Sequence, residues 1–227
     1  MLDVKVGRGA FIKEYERARQ LAVTMVNLGA DHGVATVAQL TSMDAPLGRA
    51  VGNALEVTES VEVLRGGGPD DVRALALALA RRMVELVHLD VDPEDKLNDG
   101  SAYELYCRMI RAQGGNPEAD VAVATHRATL TAPRAGVVQS VDAFAVGVGA
   151  WRLGAGRARK EDPVSAGAGV VCQVREGDVV AEGDLLFDLY ADDDGHLARG
   201  RVALIDACVI GDEPIVPTPL LIDFVEK

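Results

Sequence analysis

Pro46-Leu47-Gly48-Arg49-Ala50-Val51-Gly52-Asn53-Ala54-Leu55-Glu56-Val57-Thr58-Glu59 is the stretch on which the reading of the chain turns. Leu47, Ala50, Val51, Ala54, Leu55, Thr58 and Val61 recur at three- and four-residue steps, the spacing of one helix face. Gly48 and Gly52 fall inside the start of that pattern, where glycine disfavours a helix and favours a tight turn. The expected order is a turn, an irregular loop, and then a helix carrying Glu56, Glu59 and Glu62. On pattern alone this is an amphipathic helix with solvated glutamates.

Working outward, Leu2–Val6 is strand-like and Gly7-Arg8-Gly9 is a turn. Tyr15, Ala18, Leu21, Ala22, Met25, Val26 and Gly29 mark one face of a helix from about Lys13 to Asp31, with Gly33 as its stop. Val34–Leu40 is apolar and partly β-branched, a second strand. Strand, helix, strand at this spacing is a βαβ unit and therefore a parallel sheet. Helices are expected over Val72–Val87 and Ser101–Gln113, the latter with Leu105, Met109 and Ala112 inward. Asp90–Asp99 reads as an acidic connector. Gly66-Gly67-Gly68-Pro69 precedes Asp70 and Asp71, which suit a helix start but would repel an anion.

Gly114-Gly115-Asn116-Pro117 is the candidate boundary. The expectation is a partial α/β domain over 1–117 and a smaller α+β domain over 118–227. In the second part, strands are expected at Ala128–Ala132, Gly136–Val141, Val170–Val174, Val179-Val180 and Leu185–Tyr190. A short helix is expected at Phe144–Leu153, a helix or strand at Val202–Val209, and a terminal edge strand at Leu220–Val225. Glu176-Gly177-Asp178 and Glu182-Gly183-Asp184 are paired turns, giving the look of a barrel-sandwich hairpin of the biotinyl or lipoyl kind. A carrier domain needs a lysine at the hairpin tip. Tyr190-Ala191-Asp192-Asp193-Asp194-Gly195 has none, so the carrier function fails.

The 227 residues suffice for one large or two small domains, and 48% hydrophobic content suffices for a core. A net charge of −12 argues against nucleic acid or an anionic membrane as partner, while leaving room for a small phosphate ligand in a local positive pocket. Cys107, Cys172 and Cys208 lack CxxC spacing, which fits a reducing cytoplasm and no zinc. No apolar run is long enough to span a bilayer, and Met1-Leu2-Asp3 is no secretory leader. His32, His88, His126 and His196 share no metal spacing. Asp3 and Lys5 alternate on the first strand and read as a structural ion pair.

Leu2-Asp3-Val4-Lys5-Val6-Gly7-Arg8-Gly9-Ala10-Phe11 together with Pro46–Glu59 resembles the pyrimidine-nucleoside phosphorylase and thymidine phosphorylase family, in both segments and in the distance between them. The likeness runs over essentially the whole chain, but to the C-terminal half of the family's chain. It implies, for a complete enzyme, reversible phosphorolysis of thymidine or uridine, with phosphate as co-substrate and a homodimer as the assembled form. The family's helical N-terminal domain, phosphate loop and polar base readers have no counterpart here, so no catalytic residue is assigned and the chain alone is expected to be inactive. Three positions carry over. Phe11, at the carboxyl end of its strand, would line the pyrimidine pocket; the alternative is a core aromatic anchoring the turn. Leu47 and Ala50, through carbonyls, and Glu59, through its carboxylate, would hold potassium.

That cation site carries a geometric condition. Along a straight helix Ala50 and Glu59 would lie roughly 13 Å apart at about 1.5 Å per residue, with the inner carbonyls already bonded. The segment around Gly48–Gly52 must therefore be irregular. The cations of Leu153-Gly154-Ala155-Gly156-Arg157-Ala158-Arg159-Lys160-Glu161-Asp162 would either neighbour a phosphate or form a solvated loop. Two other functions stay open: a non-catalytic binding or assembly module on the same fold, and a phosphoribosyltransferase, which lacks a visible diphosphate loop.

Overall fold

The computed structural model describes residues 1–227. Strand β1 (Leu2–Val6) pairs in parallel with β2 (Ala38–Ser42), joined by helix α1 (Tyr15–Asp31). The alanines Ala18 and Ala22, both fully buried, allow α1 to lie close on the sheet. With Val26 they pack on Val4, Val6, Ala38 and Leu40. Alternation sets the other face: Lys5 and Asp3 stand together and pair at 2.7 Å, and the Thr41 hydroxyl donates to Asp3 Oδ1 at 2.5 Å. The last strand, β10 (Leu221–Val225), adds antiparallel to the far side of β2.

The strand expected at Val34–Leu40 lies four residues later. Val34 is exposed, and Val34–Val37 connects α1 to β2. Hydrophobicity alone set the earlier limits, whereas the register with β1 sets the real ones. Strand β3 (Ala50–Val51) and helices α2 (Asn53–Leu64), α3 (Asp70–Leu86), α4 (Pro93–Asn98) and α5 (Ser101–Ala112) follow. Asp90–Asp99 is not a plain connector. Asp92 caps α4 by accepting from the Glu94 N–H at 2.9 Å, with Pro93 in the first turn, and Glu94 is then gripped by Arg73 and Arg81 of α3. On α5 the expected inward residues Leu105, Met109 and Ala112 are exposed, and Cys107 is the buried one.

The second half holds β4 (His126–Thr131), β5 (Gly136–Val141), α6 (Ala143–Ala150), β6 (Gly169–Cys172), β7 (Val179–Val180), β8 (Leu185–Ala191), α7 (Asp194–Leu204) and β9 (Cys208–Gly211). A π-helical turn, Trp151–Ala155, extends α6 past the expected Leu153. Residues 202–209 contain both the end of α7 and the start of β9. The body of α7 was missed, although Asp193 caps it by accepting the His196 N–H at 2.8 Å. Two antiparallel sheets form, in the orders β3-β6-β8-β4 and β7-β5-β9. The paired turns form as expected and are near copies. The Gly177 N–H donates to the Val138 carbonyl and the Gly183 N–H to the Ala132 carbonyl, both at 2.9 Å, while Asp178 and Asp184 accept the Arg175 and Ala181 amides.

Phe187, Leu189, Leu153, Leu204, Val138, Val146 and Val170 form the larger core. Each side chain so buried contributes about 1.5–3 kcal/mol of transfer free energy. Within β8, Asp188 is 2% exposed. It accepts from the Arg127 Nη2 at 2.6 Å and from the Gln173 Nε2 at 2.7 Å, which ties β4, β8 and the end of β6 together. Hydrogen bonds cross the 117/118 line in both directions: β3 joins the sheet of the second half and β10 joins the sheet of the first.

The Asp188 triad generates a first prediction. Arg127→Met is expected to lower the urea midpoint by stranding a buried carboxylate, and Arg127→Met with Asp188→Leu to recover most of the loss. Additive losses in that double-mutant cycle would rule out the coupling.

Candidate functional site

The carboxyl ends of β1 and β2 carry two loops that fasten each other. The Met43 N–H donates to the Val6 carbonyl and the Gly9 N–H to the Met43 carbonyl, both at 2.8 Å. The Arg8 N–H donates to Asp44 Oδ1 at 2.9 Å. Gly7, at φ 127°, leaves no room for a side chain, because a Cβ would lie 2.7 Å from Asp44 Oδ1. The Arg8 guanidinium reaches Asp44, Asp142 and Glu176 at 3.5–3.7 Å, joining this loop to the second half. Gly7 donates to the Ile12 carbonyl at 3.2 Å and closes the loop. Phe11 sits on that closed loop with its side chain fully exposed. The alternative of a core aromatic is therefore overturned: Phe11 anchors nothing within this chain.

The Leu47–Gly52 segment is irregular before α2 starts at Asn53. Three carboxylates take its amides in succession. Asp71 Oδ2 accepts from Gly48 at 3.1 Å, Glu59 Oε1 accepts from Arg49 at 2.8 Å and from Ala50 at 3.1 Å, and Glu56 Oε1 accepts from Gly52 at 2.9 Å. Gly48 has φ 70°, and a Cβ there would stand 2.1 Å from Glu59 Oε2. The Arg49 carbonyl accepts from the Cys172 N–H at 2.8 Å. Antiparallel alternation then turns the Ala50 N–H and carbonyl to the opposite edge, towards Glu59. The straight-helix geometry that would have separated Glu59 from Leu47 and Ala50 does not occur.

Burial raises the Glu59 pKa above the usual carboxylate value. The amides of Arg49 and Ala50 oppose that rise, and the charges of Asp71 and Glu62 add to it. A cavity of about 310 Å³ opens beside this segment, lined by Asp44, Leu47, Gly48, Asp71, Cys172 and Arg175 among others. Arg175 pairs with Asp71 across it at 3.0 Å. Burial first, then the nearby Cys208 and Glu59, push the Cys172 thiol up to about 12, so it is no nucleophile near neutrality. No group of three or more His, Cys, Asp or Glu side chains is placed to hold a metal ion. His196 and Asp193 pair at 2.6 Å. The sequence reading singled out Glu59 beside this loop but missed Asp71 and Glu56, which also accept its amides. Their signal was present, since an acidic residue that opens a helix often accepts main-chain amides.

Residues 137–210 match the family described as pyrimidine nucleoside phosphorylase C-terminal domain. The chain is 47% identical over 224 residues, 98% of its length, to a thymidine phosphorylase of Mycobacterium tuberculosis. It is 39% identical over 84% of its length to a pyrimidine-nucleoside phosphorylase of Bacillus subtilis, and 37% identical over 84% to one of Geobacillus stearothermophilus. The alignments cover 52%, 47% and 47% of those proteins, so the chain spans about half the length of the curated relatives it matches. With its α/β fold, it belongs to the pyrimidine-nucleoside phosphorylase family. No helix is long and apolar enough to cross a membrane.

Gly48→Ala tests the amide clamp. The strained φ and the clash with Glu59 are expected to cost about 1–3 kcal/mol in chemical denaturation. A wild-type midpoint would mean that the loop has slack around Glu59.

Proposed function

We propose that this chain supplies one wall of a pyrimidine-nucleoside phosphorylase whose other half is provided by a further segment or partner polypeptide. In the assembled enzyme, phosphate attacks the anomeric carbon of thymidine or uridine. The glycosidic C–N bond breaks, its electron pair leaves on the base, and a sugar 1-phosphate forms. The observation that carries this reading is Phe11. A fully exposed aromatic is held on a closed loop at the carboxyl end of a parallel strand pair, where open α/β sheets bind ligands. Such a ring offers a face or edge to a pyrimidine. The positioning of phosphate and the stabilisation of charge on the departing base would come from the other half.

The outer edge of β1 is unpaired, since the sheet runs β1-β2-β10. Leu21, Met25 and Leu28 of α1 remain exposed. An open strand edge with apolar neighbours suits a docking partner, and the assembled enzyme is read as a homodimer. The 227-residue chain alone is expected to release no free base from thymidine or uridine with phosphate. Fused behind the N-terminal half of the Mycobacterium tuberculosis relative, it is expected to turn over. Phe11→Ala in that fusion should raise KM about tenfold, in the range of one lost base–aromatic contact. Turnover by the chain alone, or an inert but folded fusion, would sink the proposal.

Potassium belongs to the same reading. The Glu59 carboxylate and the carbonyls of Leu47 and Ala50 are the donors for a weakly hydrated monovalent ion, which favours carbonyl oxygen. The irregular loop supports the fit, because it leaves Glu59 Oε2 free of the amides that occupy Oε1. The sign of the pH effect follows from the raised pKa. Glu59 contributes most to stability when protonated, and that contribution is lost as pH rises through its folded value, so a cation that compensates the carboxylate helps most above it. Potassium chloride is therefore expected to raise Tm relative to choline chloride at neutral pH, less so in acid, and not in Glu59→Gln. Equal Tm values in both salts would remove potassium from the assignment.

A further inference from the structure

A second site lies at the end of α6, where the π-helical turn meets the N-terminal half of α7. Trp151, Arg152, Arg157, Asp162, His196 and Arg199 line one cavity of about 280 Å³. Arg152, Arg157 and Arg199 have no carboxylate within ion-pair distance and share one cavity, whereas Arg8, Arg73, Arg81, Arg127, Arg134 and Arg175 are paired, and the other arginines without an ion pair, Arg49, Arg65, Arg108, Arg159 and Arg201, line neither this cavity nor the groove beside it. That contrast occurs in a chain whose acidic side chains outnumber its basic ones by 35 to 23. Asp162, the one acid in the lining, spends Oδ2 on the Arg159 N–H at 2.8 Å. Asp193 holds the His196 ring at 2.6 Å and so fixes its orientation beside the cavity. Arg157 donates to the Lys160 carbonyl at 3.3 Å, which folds the loop back on itself. Arg152 lies over the Trp151 ring, 4.3 Å from its centroid.

Three unpaired guanidiniums around one small cavity repel one another, and a single carboxylate, Asp162, stands among the lining residues against them. Planar guanidinium forks match phosphoryl oxygens in geometry as well as in charge. The volume falls just below the usual range for small-molecule sites of about 300–1,000 Å³. We infer that this cavity binds a small phosphate-bearing dianion, of the size of inorganic phosphate or a sugar phosphate. The adjoining groove between α6 and α7 shares Arg152 and Arg199 and is otherwise apolar, with Val148, Ala198, Val202 and Ala203. It gives the organic part of an ester a surface to lie on. The inference stands apart from the phosphorolysis reading and is read out by binding alone.

Trp151 is the sole tryptophan of the chain, so its emission reports this cavity. The 227-residue protein is titrated with ribose 5-phosphate and, separately, with inorganic phosphate, at ionic strength held constant with sodium chloride. A saturable change is expected, weakened at least about tenfold in Arg157→Gln with Arg199→Gln, the scale of losing charge-assisted hydrogen bonds. Arg134→Gln, whose arginine pairs with Asp212 elsewhere, should bind as the wild type. Saturation by both ligands alike supports a site that reads the phosphoryl group alone. Saturation by the ester only supports a site that also uses the groove. Broadening of the ligand's phosphorus resonance checks both without relying on fluorescence. A response no different from sodium chloride, or full affinity in the double variant with an unchanged circular dichroism spectrum, overturns the inference.

Discussion

The amides of Gly48, Arg49, Ala50 and Gly52 have no sheet partner, and three carboxylates take them instead. That arrangement couples parts of the molecule that sequence keeps separate. Asp71 opens α3, Glu56 and Glu59 lie on α2, and the Arg49 carbonyl on the opposite edge of the segment is bonded to β6. The two helices of the first half and the antiparallel sheet of the second are thus fixed to one short strand. A carboxylate withdrawn partly from water, as Glu59 and Asp71 are, loses less when it is hydrogen-bonded, and an amide likewise. Each satisfies the other here. Partial burial nevertheless raises the Glu59 pKa, and the charges of Asp71 and Glu62 add to the rise.

The elements legible in the sequence are those whose signal is local. The βαβ unit announced itself through periodicity, the paired Gly-Asp turns through their composition, and the break before α2 through Gly48 and Gly52. The misread elements depend on distant partners. Residues 34–37 are as apolar as a strand, but only Leu2–Val6 determines that pairing starts at Ala38. A two-residue strand such as Ala50–Val51 has no periodicity to detect, and it exists because β6 receives it. Helix α7 contains Gly195 and Gly200, which depress its propensity. Gly200 is nevertheless required, because a Cβ there would lie 2.4 Å from the Leu153 side chain.

The exposed Leu105 and Met109 teach the same lesson about faces. Periodicity shows that a helix has an apolar stripe, and it does not show that this chain covers the stripe. The same holds for Leu21 and Met25 of α1, whose inner neighbours Ala18, Ala22 and Val26 are fully packed. The likeness to the relatives covers nearly all of this chain but about half of theirs. Within this chain the outer edge of β1 is unpaired, and α1 and α5 are covered on one side only. Phe11 follows the same pattern: its place at the carboxyl end of β1 was legible in the sequence, and its full exposure was not.

Net charge and local charge answer different questions in this molecule. An excess of acid summed over 227 residues governs solubility and disfavours polyanions. At physiological ionic strength, however, exposed charges are screened over about 8 Å. A small anion inside one cavity therefore responds to the groups that line it and hardly to the chain's total. Arg8 of the first half and Arg175 of the second illustrate one outcome, because each is absorbed by carboxylates of the other half. The end of α6 illustrates the other, because three arginines share one cavity with a single acid, Asp162, and none of them forms an ion pair. Arginines of the first kind bind the protein to itself, and those of the second keep their hydrogen-bond forks available to a ligand.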